Sequence, residues 1–431
     1  MSSLPSGRPR QAHVIGAGIV GVCCAWWLLR AGFSVTLIDK VAPGSGASAG
    51  NAGSIGLASV PPLGMPGILR RVPRMLLDPA HALTTHWTYM LGALPWFARF
   101  ALATQHDRVE AIADARADML AHASEALDTL LRESGHTAMI ENRGLIHTFQ
   151  SKAGLAGAAY AIEMRRRRGV RLEVLGGDVL RELEPALSTA VAGGVWYPNV
   201  RNCVNPQRMT EAIAADFFER GGDLVTDNVT GFDIGADGPR RIIAGRGSYD
   251  CDLVVLAAGA WSKPLAKQLG CEIALETERG YHIMITPPGT ELRIPLVSND
   301  QHIAISPMEH GLRLSTMSEF AAIDAPPRHD RPLHIFEKAI NVVRGLNVAG
   351  SSSWVGARPS TPDSLPVIGR SPRFRNTLFA FGHGHLGLTW AAITGQLVSQ
   401  LASGVAPTID LDAFRPDRTY TGSHLAPSRL S

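Results

Sequence analysis

Gly16, Gly18 and Gly21 recur with GxGxxG spacing inside HVIGAGIVGVCCAWWLLRAGFSVTLIDK, residues 13–40. An apolar strand precedes the glycines, an apolar helix follows, and a second apolar strand ends at Asp39. This order is a βαβ unit whose first turn can cradle a pyrophosphate. Gly16 permits the tight turn, Gly18 lets backbone N–H groups approach phosphate, and Gly21 seats the helix on the strand. The helix N-terminus adds partial positive charge. Asp39 stands where a carboxylate accepts hydrogen bonds from ribose hydroxyls and disfavours a 2′-phosphate. The turn residues Ile15, Ala17, Ile19 and Val20, with Lys40 after the acid, complete the expected dinucleotide contacts. The spacing does not separate FAD from NAD, but it speaks against NADP.

A second candidate lies near the C-terminus, where residues 381–390 read FGHGHLGLTW. His383 and His385, two apart, could hold a metal, but no Asp, Glu or Cys with ligand spacing accompanies them. No metal is expected. A buried strand, a glycine turn and a helix N-terminus describe the stretch better. A third candidate is SGASAGNAGSIG, Ser45 to Gly56, directly behind the second strand. Its small, hydrogen-bonding residues, Ser48, Asn51, Ala52 and Gly53 among them, suit an extended cofactor and favour FAD over NAD.

These residues need elements to hold them. The chain has 431 residues, 45% hydrophobic and 18% charged, enough for two domains or one large one with a substantial core. A net charge of +3 does not point to nucleic acid. The basic run Arg165 to Arg168 precedes Gly169 and reads as a solvated helix end. Five cysteines without CxxC spacing read as reduced structural thiols. The apolar run Val14–Leu29 resembles a signal or anchor, but three glycines interrupt it, so a buried strand and helix explain it better.

From His86 to Arg132 the spacing is helical. Within it, Tyr89 to Thr104 is strongly apolar; core packing is the expectation and contact with a membrane surface the alternative. A helix is expected from Pro206 to Arg220 and a strand from Asp223 to Val229. The buried-type strand Leu253–Leu256 runs into Ala257, Ala258 and Gly259, a small turn over the crevice that also brings Trp261. Gly280–Thr286, His302–Ser306 and Leu312–Met317 alternate like antiparallel strands. Leu378–Gly382 leads into a helix over Leu388–Leu401. The expected class is α/β (α+β overall), with interleaved, discontinuous domains. A Rossmann-like cofactor domain is expected over 11–85, 205–265 and 355–425, and a substrate domain on a mostly antiparallel sheet over 86–204 and 266–354.

The segments HVIGAGIVGVCCAWWLLRAGFSVTLID, SAGNAGSI, RGYHIMI, GARPSTPDSLPVIGR and GHGHLGLTWAAITGQLVSQLASG together resemble the FAD-dependent D-amino acid oxidase superfamily. Within it they are most similar to bacterial D-amino acid dehydrogenases of the small-subunit type, a group that includes D-hydroxyproline dehydrogenases. The resemblance implies non-covalent FAD and hydride transfer from the substrate α-carbon to flavin N5. The imine is then hydrolysed to a 2-oxo acid and ammonia. Electrons would pass to a quinone or other acceptor rather than efficiently to oxygen. Arg358 occupies the place where relatives hold the substrate carboxylate, which suits a planar, permanently charged guanidinium.

The resemblance further implies a hydroxyl from Tyr281 near the substrate and a specificity role for His282. Arg279 replaces a lysine of similar dehydrogenases. His302 and Ser306 are candidate substrate contacts, and Ser315 and Thr316 stand where relatives often carry glycine. His385 replaces the second arginine of glycine oxidases, which argues against that activity. Gly382, Gly384 and Gly387 would let the backbone pass the isoalloxazine, with His383 in the wall. Leu388 and Thr389 would turn N–H groups toward the flavin C2 carbonyl. No obvious Asp or Glu stands in the site motifs, which fits an amine that binds deprotonated, without a dedicated enzymic base. D-Proline and cis-4-hydroxy-D-proline are alternative substrates, and a non-catalytic or NAD-binding α/β protein is the alternative class. A cytoplasmic protein is expected, with peripheral contact at the inner membrane and an oligomer left open.

Overall fold

In this computed structural model the chain is described over residues 10–72, 75, 83–85, 87–327, 338–347 and 351–419. His86 and residues 73–74, 76–82, 328–337, 348–350 and 420–425, included in the expected helix and domain spans, lie outside this set.

The apolar strands 11–15, 34–39, 253–256 and 377–381 have side chains buried on both faces, which suits the interior of a parallel sheet. They form a six-stranded sheet in the order Asp223–Thr226, Ser34–Asp39, Gln11–Ile15, Leu253–Leu256, Thr377–Phe381, Val367–Arg370. All pairs are parallel except the last. Helices Ile19–Arg30, Gly387–Ser403 and His106–Glu133 pack together over this sheet. Trp26, Trp390, Leu37 and Val255 are buried between them.

Among the described residues nine strands form the second sheet, which is mostly antiparallel. Ser352–Ser360 lies at its edge, followed by Glu276–Ile285, Gly311–Phe320 and Ile303–Met308. Leu296–Ser298 then joins Leu145–Phe149 in parallel. The expected division at 354/355 falls inside Ser352–Ser360.

Three local expectations change. The strand expected to Val229 stops at Thr226. Asp227 then accepts backbone N–H bonds from Asn228 and Arg246, which turns the chain into a separate hairpin beginning at Val229. The Arg165–Arg168 run does end a helix, but only Arg166 and Arg167 are exposed. Arg165 turns inward to the Ala58 carbonyl at 2.8 Å, and Arg168 pairs with Glu110 and Asp114. The helix Trp87–Ala103 divides the Tyr89–Thr104 run. Ala93 and Trp96 are buried, with Trp96 stacked on Phe100, whereas Leu91 and Leu94 are 73% and 53% exposed. No helix among the described residues is long and apolar enough to cross a membrane.

Two arginines, Arg116 buried and Arg313 half-buried, tie these elements to the loops beside the crevice. Arg116 on His106–Glu133 donates to the carbonyls of Ser59, Val60 and Ser364. Arg313 on Gly311–Phe320 donates to the carbonyls of Ala49 and Asn51. A guanidinium has enough donors to gather several carbonyls at once, which makes it an effective loop clamp.

Candidate active site

At the carboxyl end of the parallel sheet the first turn closes by short bonds. Gly16 N donates to Ile38 O at 2.8 Å, and Ala17 N to Asp39 Oδ2 at 2.6 Å. Gly16 has φ +109°, a conformation costly for any residue with a Cβ. The helix Ile19–Arg30 begins at Gly18 with no side-chain cap, and Ser48 Oγ accepts from Ile19 N at 2.9 Å. The remaining first-turn N–H groups therefore keep their donor capacity and partial positive charge.

A cavity of about 1300 Å³ runs from this cradle to the second sheet. That exceeds the roughly 300–1,000 Å³ of ordinary small-ligand pockets and suits a dinucleotide together with a small substrate. The turn from Ile15 to Val20 lines it, as do Asp39 and Lys40, whose ammonium lies 4.3 Å from the Trp261 ring centroid. Ser48, Asn51 and Ala52 also line it, as do Val229 and the turn bearing Ala258, Gly259 and Trp261. His383, Gly384, Gly387 and Leu388 line the wall where the helix Gly387–Ser403 begins, again without a side-chain cap.

Four expected cofactor residues do not line the cavity. Gly21 packs against the Gly16 carbonyl, Gly53 against Cys203, and Gly382 beside Thr361. The Thr389 hydroxyl accepts from Gly56 N at 2.8 Å, so its side chain serves the loop.

The substrate end is built by two neighbouring strands. Glu278 on Glu276–Ile285 stands directly across from Arg358 on Ser352–Ser360, and both line the cavity. Arg358 Nη1 lies 3.6 Å from Glu278 Oε1. The same oxygen is 2.8 Å from His385 Nε2 and accepts from Ser318 Oγ at 2.6 Å. Glu278 is 1% exposed, and its Oε2 has no hydrogen-bond partner among the described residues. Burial alone would oppose its ionisation. The charge and hydrogen bond of His385, then Arg358 and Ser318, outweigh that and hold the carboxyl far below the usual range.

The expectation of a site without a carboxylate is therefore corrected, because Glu278 and Ser318 were missed. The available signal was the alternation of ERGYH, which puts Glu278, Gly280 and His282 on one face and Arg279 and Tyr281 on the other. Tyr281 accordingly does not line the cavity; its hydroxyl donates to Glu319 Oε2 at 2.5 Å. His282 stacks on Trp354 at 4.9 Å, and it is Trp354 that lines the cavity. Arg279 is buried and donates to the Ala322 and Pro326 carbonyls. His302, Ser315 and Thr316 reach the cavity wall, whereas Ser306 is buried away from it. No cluster of His, Cys, Asp or Glu among the described residues could hold a metal.

Two histidines beside the site carry a stability consequence. Burial pushes His383 down to about 3, where its Nε2 contacts Thr394 Oγ1 at 2.9 Å. Burial, then the charge of Arg313, pushes His282 down to about 3. Below the usual value of about 6.5 the unfolded chain takes up protons that the folded chain excludes. Stability is therefore whole above about pH 6.5 and falls as pH drops toward 3. Each histidine adds about 1.4 kcal/mol per pH unit to that slope. Urea midpoints from pH 7 to pH 4 are expected to fall accordingly, and His383→Asn to lessen the slope by about one proton. An unchanged slope in the variant would contradict this.

The family described as DAO, FAD dependent oxidoreductase, matches residues 12–401. The chain is 37% identical to a D-amino-acid oxidase of Bradyrhizobium diazoefficiens, over 96% of this chain and 100% of that protein. It is 30% identical to a D-amino acid dehydrogenase of Paramagnetospirillum magneticum, over 94% and 98% of the two chains. The fold is similar to that of glycine oxidase from Geobacillus kaustophilus. That structure has a TM-score of 0.72 and 22% identity, with 95% of this chain and 99% of that chain covered.

Proposed function

The chain belongs to the DAO family of FAD-dependent oxidoreductases, and from that premise we propose that it oxidises the C–N bond of a D-amino acid. The product is the imine, which water hydrolyses to the 2-oxo acid and ammonia. The family match also sets aside the NAD-binding and non-catalytic alternatives. The observation that carries the reading is Arg358 standing in the wall of the same cavity as the glycine cradle.

FAD, when bound, supplies the hydride acceptor. We assign its pyrophosphate to the cradle at Gly16 and Gly18 and its ring to the wall of His383, Gly384, Gly387 and Leu388. The uncapped start of Gly387–Ser403 offers a positive helix end to negative charge that grows during reduction. Arg358 would grip the substrate carboxylate bidentately and fix the α-carbon for transfer. Trp96, Phe97 and Phe100 line the cavity and limit water around the substrate.

A second reading, oxidation of D-proline or cis-4-hydroxy-D-proline to a cyclic imine, draws on Glu278, Ser318 and His385, which offer partners for a ring hydroxyl. We infer a quinone or similar electron acceptor for either reading. The test is turnover of D-alanine, D-proline and the hydroxyproline isomers, each with an artificial dye and with oxygen alone. D-Alanine turnover with the dye is expected. Activity confined to the cyclic substrates would move the assignment to the second reading, and inactivity on every amino acid would overturn both.

A further inference from the structure

The site contains one pair that substrate anchoring does not use. His385 sits on the short turn Gly384–Leu386, lines the cavity, and has a side chain 37% exposed. Its Nε2 lies 2.8 Å from Glu278 Oε1, and its Nδ1 has no partner among the described residues. Facing a carboxylate, Nε2 carries a proton, so whenever the ring is neutral its lone pair is on Nδ1. Glu278 is itself fixed by Ser318 and by its position opposite Arg358. Hydrolases use the same logic: a buried carboxylate selects the imidazole tautomer and balances the cation formed when the ring takes a proton.

We propose that His385, oriented by Glu278, removes a proton from the substrate amine before hydride transfer. This deepens the amine-oxidation reading and rests on it. The N–H bond of the ammonium breaks, its electron pair stays on nitrogen, and the proton forms an N–H bond at Nδ1. The freed pair on nitrogen would then assist hydride loss from the α-carbon, for which bound FAD would supply the acceptor. The imidazolium formed is balanced by Glu278, and the exposed side of the ring returns the proton to water. His385 is the catalytic residue and Glu278 a positioning residue.

The surroundings leave few competing groups. Gly387–Ser403 has no titratable side chain, and Ser352–Ser360 contributes only Arg358. On the strand Glu276–Ile285, Glu276 is held by Lys263 and Tyr89, Arg279 and Tyr281 face away from the cavity, and His282 stacks on Trp354; on Gly311–Phe320, Glu319 accepts from Tyr281 and Arg313 donates to the Ala49 and Asn51 carbonyls. His383, on the same stretch as His385, is kept neutral by burial.

The test is kcat/KM against pH for two substrates whose amines differ in basicity, at saturating dye. In the wild-type enzyme the acid limb is expected at the same pH for both, because it belongs to an enzyme group. In His385→Gln the limb should move up and track each substrate's own amine. At pH 7 kcat/KM should fall roughly 100-fold, the lower end of general-base contributions, and added imidazole should restore part of it. Glu278→Gln should shift the limb, whereas Glu278→Asp should largely keep it. FAD absorbance checks that each variant is loaded. A wild-type limb that already follows the substrate, or an unchanged profile in His385→Gln, would overturn the proposal while leaving Arg358 and the amine chemistry intact. Wild-type inactivity on all amino acids would overturn both. Should His385→Gln fail to fold, the two-substrate comparison in the wild type still decides.

Discussion

Arg358→Met is expected to raise KM for a D-amino acid about 30-fold to several thousand-fold while FAD stays bound. The range follows from removing one partner of a desolvated, charge-assisted pair, which costs roughly 2–5 kcal/mol. Methionine keeps much of the length and none of the donors. The substrate carboxylate would then meet Glu278, 1% exposed and ionised, without the cation that stands opposite it. Repulsion adds to the lost bond, so an amine lacking a carboxylate should lose far less. The cradle at Gly16 lies at the other end of the cavity, so flavin absorbance per protein should match the wild type. Gly280→Ala should reach the same kinetic result by another route, since a Cβ there would overlap the Arg358 guanidinium. Steady-state kinetics with D-alanine and its decarboxylated amine decide, and equal losses on both would refute carboxylate anchoring.

The contrast between the two ends of the cavity explains what could be read in advance. The cradle is local: its glycines, helix and acid fall within 30 residues, and each constraint is a backbone matter that spacing reveals. The substrate end is assembled across the chain. Glu278 meets Arg358 only through strand register, and it meets His385 only because the turn after Thr377–Phe381 comes up beside that strand. Beside Arg279 in sequence, Glu278 looks like half of a surface ion pair. Yet alternation alone forbids Tyr281 and His282 from sharing a face, and that constraint was available without a structure. Arg165 and Arg168 were misjudged for a similar reason. Their partners, Ala58, Glu110 and Asp114, lie more than 50 residues away, and nothing in the local run distinguishes them from Arg166.

Gly16→Ala is expected to yield a protein that purifies without flavin and is less stable even as the apo form. At φ +109° an alanine is strained by about 1–3 kcal/mol before any contact is considered. Its Cβ would also come within 2.7 Å of the Ala257 carbonyl carbon and 2.8 Å of the Ala258 Cα. Both are backbone atoms, and Ala257 N is bonded to Ile15 O at 2.8 Å, so relief requires prising apart the ends of two paired strands. The cradle and the start of Ile19–Arg30 would shift with them. Gly18→Ala provides the control. Its Cβ would meet only the Ser48 hydroxyl at 3.4 Å, an ordinary contact, so the apo fold should melt as the wild type does. It should nevertheless hold FAD weakly, because the methyl group occupies the approach to the backbone N–H groups. Flavin absorbance and apo melting temperature separate the two. Gly16→Ala should lose both and Gly18→Ala only the first, and a fully yellow Gly16→Ala protein would show that the turn is not the phosphate cradle.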